Sequence, residues 1–413
     1  MEKSQLAILG GSRIYPNDWF GSKWPLATGK ELQEIQGVLD SYIWKGGSVG
    51  PKVKKFAEQW AEYCQANYCV PVTNGTIALV LSLQALGVGA GDEVIIPAWT
   101  CAAVADAVHN IGAIPVFCDI DPGNLGLDPV RVEAAISLRT RAIIAVHFGG
   151  QPADLDRLCE ISVRHQIAFI EDAASSHGVE WKGHKVSSIG DCGIFSFGQG
   201  KNLTCGQGGA VMTNSKDVFE QIYSLSEFGQ LPGVDDSFER HMRAGINERM
   251  SEFHAAILLA QFTQLDYFNE IRARNAEMLT SLLEKIPGIT PVYKDDRVTR
   301  HTWNLLLFRM APHFFAGIDK ETFCRAATAE GIFIAPMHVR PLYDEPMYHV
   351  EQNTNDFSFR KMPCPETQRA CKEVCGIHHS MLMADPTEIG LIAEGIAKVQ
   401  QLAGDLSNHS PTV

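Results

Sequence analysis

The sequence has no long hydrophobic run. A helix that spans a membrane needs roughly 18 consecutive apolar residues, and no stretch of this chain approaches that length. The apolar run in the opening MEKSQLAILGGSRIYP stops at a pair of glycines and is too short for the core of a signal peptide. We therefore expect a cytoplasmic protein without a membrane segment.

Positive charge is also scarce. Lys and Arg together number 35 against 48 Asp and Glu, which gives a net charge of −13. A chain with this balance has no general basic field to hold a polyanion, so neither nucleic acid nor an acidic membrane is expected as a partner. Small anions can still bind at local sites.

Paired CxxC motifs are absent as well. The sequence holds 11 cysteines, but even the group Cys364, Cys371 and Cys375 lacks the spacing of zinc ligands. An odd number of cysteines without a secretion signal fits reduced thiols that are mostly buried. We predict no metal site and no disulfide framework.

Between residues 70 and 215 the sequence alternates regularly between helix and strand patterns. Turns rich in Gly, Pro, Asp and Asn separate the segments. Such alternation favours a mostly parallel sheet with helices on both faces. The predicted strands are DEVIIPA, IPVFCDI, RAIIAVHF and IAFIEDA, and the predicted helices are Ile77 to Leu86, CAAVADAVHNIG, DPVRVEAAI and LDRLCEISVRH.

The rest of the chain predicts a second, smaller unit. Residues 250–286 form one long amphipathic helical stretch that links two domains. Beyond it, HTWNLLLFRM resembles a strand and DKETFCRAATAEG a helix capped by Asp319. We predict a large domain over residues 1–267, including an N-terminal arm, and a small C-terminal α+β domain over residues 268–413.

The carboxyl ends of the predicted strands mark where a ligand should bind. Ligands of parallel α/β sheets gather outside these strand ends. The polar and small residues that follow the apolar runs are Asn74, Gly75, Thr76, the run Trp99 to Cys101, His147, Glu171, Asp172 and Ser196.

Lys201 stands in the glycine-rich stretch FSFGQGKNLTCGQGGA, which contains no acidic residue to pair with it. A lysine beside glycines is most often a solvated turn residue. A lysine held by tight turns in an uncharged pocket can instead be a nucleophile, because loss of solvation lowers the pKa of its amine. The segment alone leaves both interpretations open.

Other strand-end residues also have two interpretations. Gly75 and Thr76 open a predicted helix whose first N–H groups can hold a phosphate, although an N-cap threonine explains them equally well. Asp172 follows a buried apolar run, so it needs a cation, either a buried arginine or the protonated ring nitrogen of a cofactor. With Lys201, these residues supply what pyridoxal phosphate requires: a phosphate grip, a partner for the ring nitrogen and a Schiff base.

Motifs along nearly the whole chain resemble one enzyme family, the DegT/DnrJ/EryC1/StrS pyridoxal-phosphate-dependent sugar aminotransferases. The resemblance implies fold type I, a mostly parallel central sheet sandwiched by helices, plus a smaller C-terminal α+β domain. Within the family, the chain is most similar to the branch of 2-deoxy-scyllo-inosose aminotransferases and 3-amino-5-hydroxybenzoate synthases. The motifs are GGSVGPKVKKFAEQWAEY, VTNGTIAL, GDEVIIPAWT, AVHFGGQPADLD, IEDAASSHG, SFGQGKNLTCGQGGA, NERMSEFHAAI and IHHSMLMA.

The resemblance assigns roles to individual residues. It implies Lys201 as the catalytic Schiff-base lysine and Asp172 as the partner of the pyridine nitrogen. It also implies that Asn247, in NERMSEF, reaches the phosphate of the neighbouring subunit, so that a homodimer shares its active sites. Without the resemblance, Asn247 is better interpreted as a helix cap. The implied phosphate ligands are Gly75, Thr76 and Ser196.

The sequence departs from the family pattern at three places. Cys101 stands where the family usually has an aromatic residue that stacks on the cofactor ring, and Trp99 two residues earlier can be a structural strand-end aromatic. Ser175 replaces the usual Gln or His near the ring hydroxyl. Gln199 and Gly200 replace the usual residues before the lysine, which leaves Gln199 as a substrate contact.

The resemblance implies L-glutamine or L-glutamate as amino donor and a keto-cyclitol or keto-sugar as acceptor, in aminocyclitol or amino-sugar antibiotic biosynthesis. Polar residues that suit a polyhydroxylated acceptor, each with a structural interpretation as well, are His147, Gln199, His301, Trp303, Asn304, His338 and Arg340.

Two other functions stay open. One is a dehydratase or aromatising synthase of the 3-amino-5-hydroxybenzoate type; the dehydrating relatives carry histidine in place of the lysine, so Lys201 argues against that route. The other is a non-catalytic cofactor-binding sensor, against which the lack of a basic or helix-turn-helix segment before residue 30 counts.

Overall fold

The computed structural model describes residues 5–15, 23–47, 50–232, 241–292, 295–349 and 358–407. The helices in these ranges are α1 Lys30–Ser41, α2 Pro51–Tyr63, α3 Gly75–Ala85, α4 Ala102–Asn110, α5 Pro129–Ala135, α6 Leu155–His165, α7 Lys216–Ser226, α8 Glu252–Phe262, α9 Leu265–Leu283, α10 Lys320–Ala329, α11 Pro365–Glu373, α12 Pro386–Gln401 and α13 Ala403–Ser407. The strands are β1 Tyr68–Val72, β2 Glu93–Pro97, β3 Ile114–Cys118, β4 Thr140–Val146, β5 Ala168–Asp172, β6 Glu180–Trp181, β7 His184–Lys185, β8 Cys192–Ser196, β9 Gly209–Thr213, β10 Ile289–Pro291, β11 Val298–Arg300, β12 Leu305–Met310, β13 Arg360–Lys361 and β14 Val374–His378.

An eight-stranded sheet forms the centre of the large domain, in the order β1-β9-β8-β5-β4-β2-β3-β13. The strands from β8 through β13 in this order pair in parallel, whereas β9 runs antiparallel to both of its neighbours. The prediction of a mostly parallel sheet is confirmed. The four strands predicted from the alternating pattern are β2, β3, β4 and β5.

Apolar strands are buried because helices cover both faces of this sheet. All five residues of β2 are buried, as is typical of a strand with no solvent-facing side. One apolar cluster includes Trp60 and Phe169, and the other includes Leu81 of α3 and Ile170. Because neighbouring residues of β5 belong to opposite clusters, the two clusters lie on opposite faces of the sheet.

The C-terminal region has its own three-stranded antiparallel sheet, in the order β10-β12-β14. Helices α9, α10 and α12 contribute Leu279, Phe323 and Ile392 to the cluster that covers it. Helix α10 begins as predicted, since the side chain of Asp319 accepts a hydrogen bond from the Thr322 N–H at 2.7 Å. The same cluster includes Leu6 and Tyr15 of the N-terminal arm, so residues 268–413 do not form this core alone.

The predicted single helix over residues 250–286 was wrong, because the structure has two helices there. Helix α8 ends at Phe262 and α9 begins at Leu265. At the break, the Thr263 hydroxyl donates to the Ala260 carbonyl at 2.8 Å, a local bond of the kind that competes with a regular helix.

The boundary at residue 267 stays a prediction, and it falls within α9. Two strands after the boundary pair with strands before it: β11 with β6 and β13 with β3. The two predicted domains are thus joined by backbone pairing as well as by α9.

Nine of the 11 cysteines are buried free thiols, as predicted; Cys159 is half-buried and Cys101 is exposed. Across the described ranges, no group of three or more His, Cys, Asp or Glu side chains is arranged to hold a metal ion. No helix in those ranges combines the length and apolar character needed to cross a bilayer.

Candidate active site

The predicted strand-end residues meet at one edge of the central sheet. Ser196, the last residue of β8, lies opposite Gly209 of β9, and Gly209 lies opposite Val72 at the end of β1. Asp172 ends β5, which pairs in parallel with β8. Pairing register therefore places Asp172, Ser196 and the residues that follow β1 side by side.

Helix α3 begins against Ser196 and presents unpaired donors there. A Cβ atom on Gly75 would lie only 2.9 Å from the Cβ of Ser196, so only glycine permits this close approach. Asn74 is the N-cap, accepting from the Ile77 N–H at 2.9 Å, so the prediction of an N-cap threonine at Thr76 was wrong. The N–H groups of Gly75 and Thr76 have no hydrogen-bond partner among the described residues, which suits an anion.

Asp172 is buried at the end of β5. Its Oδ1 accepts a hydrogen bond from the Ala174 N–H at 3.0 Å. Burial raises the pKa of the Asp172 carboxyl, and the Ala174 N–H and the charges of Lys201 and His147 oppose that rise. Within the described ion pairs no arginine contacts Asp172, so the buried-arginine interpretation lacks support.

Lys201 lies in the loop between β8 and β9, and its side chain points into the protein. The Nζ atom donates to the Ser175 hydroxyl oxygen at 3.1 Å. Burial lowers the pKa of the Lys201 amine, while the nearby charge of Asp172 raises it. The interpretation of Lys201 as a solvated turn residue was therefore wrong.

The side of the site formed by the start of α4 carries a thiol. Cys101 is exposed, and it lies close enough to Lys201 to act on that amine electrostatically. Trp99 is buried and packs edge-on against Phe148 and His338, with ring centroids 4.8 and 5.2 Å away. Trp99 is thus a core residue, so it does not replace the stacking aromatic that the resemblance implies at position 101.

Asn247 lies in an exposed segment beside the start of α3. The backbone of Asn247 forms an isolated antiparallel β-bridge with Glu227. The carbonyl of the next residue, Glu248, accepts from the Thr73 N–H at 3.1 Å. Helix α8 is capped by Ser251, whose hydroxyl accepts from the His254 N–H at 3.4 Å. The helix-cap interpretation of Asn247 was therefore wrong, and its exposed side chain makes no hydrogen bond to another described residue.

A loop of the C-terminal region holds the lysine loop in place. Asn304 donates to the carbonyl of Gly200 at 3.2 Å and to the side-chain oxygen of Asn202 at 2.9 Å. His301 and Trp303 lie in the same loop with ring centroids 3.9 Å apart, and Trp303 has a left-handed φ of 48°. Asn304 is thus a structural clamp, while half-buried Trp303 lies close to the site.

Two other predicted substrate residues, His147 and His338, pack inside the protein. His147 is fully buried with both ring nitrogens in contact, one 3.2 Å from Glu171 Oε2 and the other accepting from the Ala153 N–H at 3.3 Å. The prediction that His147 contacts substrate was therefore wrong. His338 packs on Trp99, and burial lowers the pKa of its ring to about 4. Gln199 and Arg340 are exposed.

Comparison with known proteins identifies the group to which this fold belongs. The model of the DegT/DnrJ/EryC1/StrS aminotransferase family matches residues 25–394. The chain belongs to this aminotransferase family.

Among family members, the chain is 35% identical to a putative L-glutamine:3-amino-2,3-dideoxy-scyllo-inosose aminotransferase of Micromonospora echinospora, over 97% of this chain and 98% of that one. It is 36% identical to the L-glutamine:2-deoxy-scyllo-inosose aminotransferase of Streptomyces kanamyceticus, over 97% and 98%. The structure is similar to that of 3-amino-5-hydroxybenzoic acid synthase, with a TM-score of 0.84, 30% identity and coverage of 92% and 98%.

Sequence reasoning missed a buried polar cluster around the lysine of this aminotransferase. His177 is fully buried, its Nε2 lies 2.9 Å from the Ser196 carbonyl, and burial lowers the pKa of its ring to about 3. Burial likewise lowers the pKa values of His378 and His379. The histidine of IEDAASSHG and the pair of histidines in IHHSMLMA were the signals in the sequence that pointed to this cluster.

Proposed function

We propose that the protein is a cytoplasmic, pyridoxal-phosphate-dependent aminotransferase that transfers the amino group of L-glutamine to a keto-cyclitol of the scyllo-inosose class. One observation carries the proposal. The enclosed Lys201 amine lies close to buried Asp172, at the sheet edge where α3 presents unpaired N–H groups.

The residues at this edge fit the cofactor. The N–H groups of Gly75 and Thr76 and the Ser196 hydroxyl would hold its phosphate, because a helix start favours an anion. Asp172 Oδ2 has no hydrogen-bond partner among the described residues and would accept from the protonated ring nitrogen. Ser175, which now accepts from Lys201, would reach the ring hydroxyl. Bound there, pyridoxal phosphate supplies the electron sink that transamination needs.

Lys201 would hold the cofactor covalently and move protons. Its enclosure favours the neutral amine, which is the form that attacks an aldehyde. With the donor bound, the freed Lys201 amine would be the group that takes up and returns a proton. The Asp172 carboxyl, whose Oδ1 accepts from the Ala174 N–H at 3.0 Å, would face the ring nitrogen and favour its protonated form.

The proposed substrates rest on the names of the relatives and on two polar side chains near the lysine loop, Gln199 and Trp303. Both relatives described above are named for L-glutamine as donor and for a scyllo-inosose as acceptor. Exposed Gln199 directly precedes Gly200, and half-buried Trp303 directly precedes Asn304, whose amide donates to the Gly200 carbonyl at 3.2 Å. Such groups suit a ring that carries many hydroxyls.

A homodimer would complete the site. Asn247 is exposed in a segment fixed beside the start of α3, and its amide would reach the phosphate held by the partner subunit. If K201A and N247A are each inactive, mixed dimers should recover activity, because one of the two sites then has both residues. Random exchange of equal amounts should restore about a quarter of wild-type activity. No recovery despite subunit exchange would refute the shared site.

The central experiment follows the amino group. Purified protein loaded with pyridoxal phosphate should show the visible absorbance band of a lysine-bound cofactor, and L-glutamine should convert that band. With 2-deoxy-scyllo-inosose or scyllo-inosose added, mass spectrometry should detect the amino-cyclitol. K201A should lose the band and all turnover, whereas K216A, which removes an exposed lysine of α7, should behave as wild type.

Other results would redirect the proposal. Turnover of nucleotide-linked keto-sugars but not of keto-cyclitols would refute the acceptor class. Release of water and an aromatic product would favour the synthase function, which the similarity to 3-amino-5-hydroxybenzoic acid synthase keeps as a second hypothesis. A band that no amino acid converts would identify a sensor.

A further inference from the structure

Arg272 on α9 is a buried cation that the proposed reaction does not use. Its side chain is fully buried, and the described part of the chain places no carboxylate within ion-pair distance. One hydrogen bond is made, from Nη1 to the side-chain oxygen of Asn269 at 3.0 Å, while Nε and Nη2 have no partner there. A charge in this state is costly, so its retention calls for a role.

The guanidinium of Arg272 lies over the indole of Trp24, 4.8 Å from the ring centroid, and 5.9 Å from the Phe268 ring. His379 contacts the same indole edge-on at 4.8 Å. Trp24 is therefore held on several sides. A cation over an aromatic face is attracted most strongly where water is excluded, as it is here.

Trp24 in turn holds the backbone of the catalytic lysine. Its indole N–H donates to the carbonyl of Lys201 at 3.1 Å. The lysine loop receives a second support from the same arginine, because Asn269, which Arg272 contacts, also accepts from the Asn202 side chain at 3.2 Å. Two chains of contacts thus run from one guanidinium to consecutive residues of the loop.

We propose that Arg272 and Trp24 are positioning residues. They hold the backbone of Lys201 in place and so orient its amine toward the reacting atoms. The inference rests on the proposed function of Lys201 as the cofactor lysine. Arg272 contacts the indole and Asn269 from α9, and Trp24, which precedes α1, donates to the Lys201 carbonyl.

Hydrogen exchange of the apoprotein tests this without relying on activity. W24F keeps an aromatic ring under Arg272 but removes the N–H donor, and R272M removes the charge at similar size. Both should speed exchange in residues 198–204 at least about fivefold while leaving helix α12 unchanged. R272K, which keeps a cation over the indole, should lie between R272M and wild type. R274M, at an exposed arginine two residues along α9, is the matched control.

In the loaded enzyme, W24F should lower kcat about tenfold and change KM for L-glutamine less than about twofold, because a misaimed amine affects the chemical step more than binding. Unchanged exchange in residues 198–204, or faster exchange across the whole chain, would overturn the proposal. If R272M does not fold, W24F decides. Failure of the proposed function would show instead as a missing absorbance band in wild type.

Discussion

Replacing Gly75 with Ala gives a sharp test of the phosphate site. The added Cβ would lie 2.9 Å from the Cβ of Ser196 and 3.4 Å from its Oγ. Carbon atoms in contact prefer about 3.5–4.0 Å, so the start of α3 and Ser196 must separate by about 0.6–1 Å. A phosphate cannot then bind both the N–H groups of α3 and the Ser196 hydroxyl at normal distances, so one of these hydrogen bonds is lost or strongly weakened.

The expected magnitude follows from the bond that is lost. A hydrogen bond to a charged group contributes about 1.5–3 kcal/mol, so the G75A apoenzyme should bind pyridoxal phosphate about 10- to 150-fold more weakly. Gly89 offers a matched control, because a Cβ there meets no atom within 4 Å. G89A should bind within about twofold of wild type.

Fluorescence titration of the apoenzyme measures both affinities, and pyridoxal, which lacks the phosphate, isolates the cause. The difference between G75A and wild type should shrink to about twofold with pyridoxal. Equal weakening for both ligands would show that the substitution damages the ring site. Wild-type affinity for pyridoxal phosphate would refute the assignment of α3 as the phosphate grip.

Three further predictions concern charge. D172N keeps the size of Asp172 but cannot stabilise a ring cation, so kcat should fall at least about 100-fold with little change in melting temperature; retained turnover would contradict the role. His177 is buried neutral with a lowered pKa, so the unfolded chain binds the extra proton below pH 6.5, and the free energy of unfolding should fall toward pH 4 by up to about 1.4 kcal/mol per pH unit from this residue. Denaturant titrations should show a shallower slope for H177Q. K398M leaves the fully buried Glu330 carboxylate without the Lys398 amine now 2.8 Å away, so thermal or urea unfolding should show a loss of about 3–5 kcal/mol; a loss under about 1 kcal/mol would contradict that reasoning.

The large sheet was predictable because helix and strand periods differ and each buried strand is a short apolar run between turns. Nothing in such a run tells its direction, so the antiparallel course of β9 was not foreseen. The break between α8 and α9 was missed because both helices are rich in good helix formers and one threonine hydroxyl marks the junction.

For the site, sequence reasoning located Lys201, Asp172 and the start of α3. A charged residue directly after a buried strand, or a lysine among glycines, is unusual in a core and therefore indicates a ligand. It failed for His147, since a histidine after a strand looks the same whether it faces a ligand or the core. Arg272 was missed for a similar reason. An arginine in an amphipathic helix is normally solvated, and its burial depends on Trp24, nearly 250 residues away in the chain.

Cys101 has a practical consequence. It is exposed, Cys159 is half-buried and the other nine thiols are buried, so a thiol-reactive dye should label Cys101 of the native protein first, without any engineering. Because that thiol is near enough to Lys201 to influence its amine electrostatically, protection of Cys101 from alkylation should report whether the pocket is filled, even in a crude mixture.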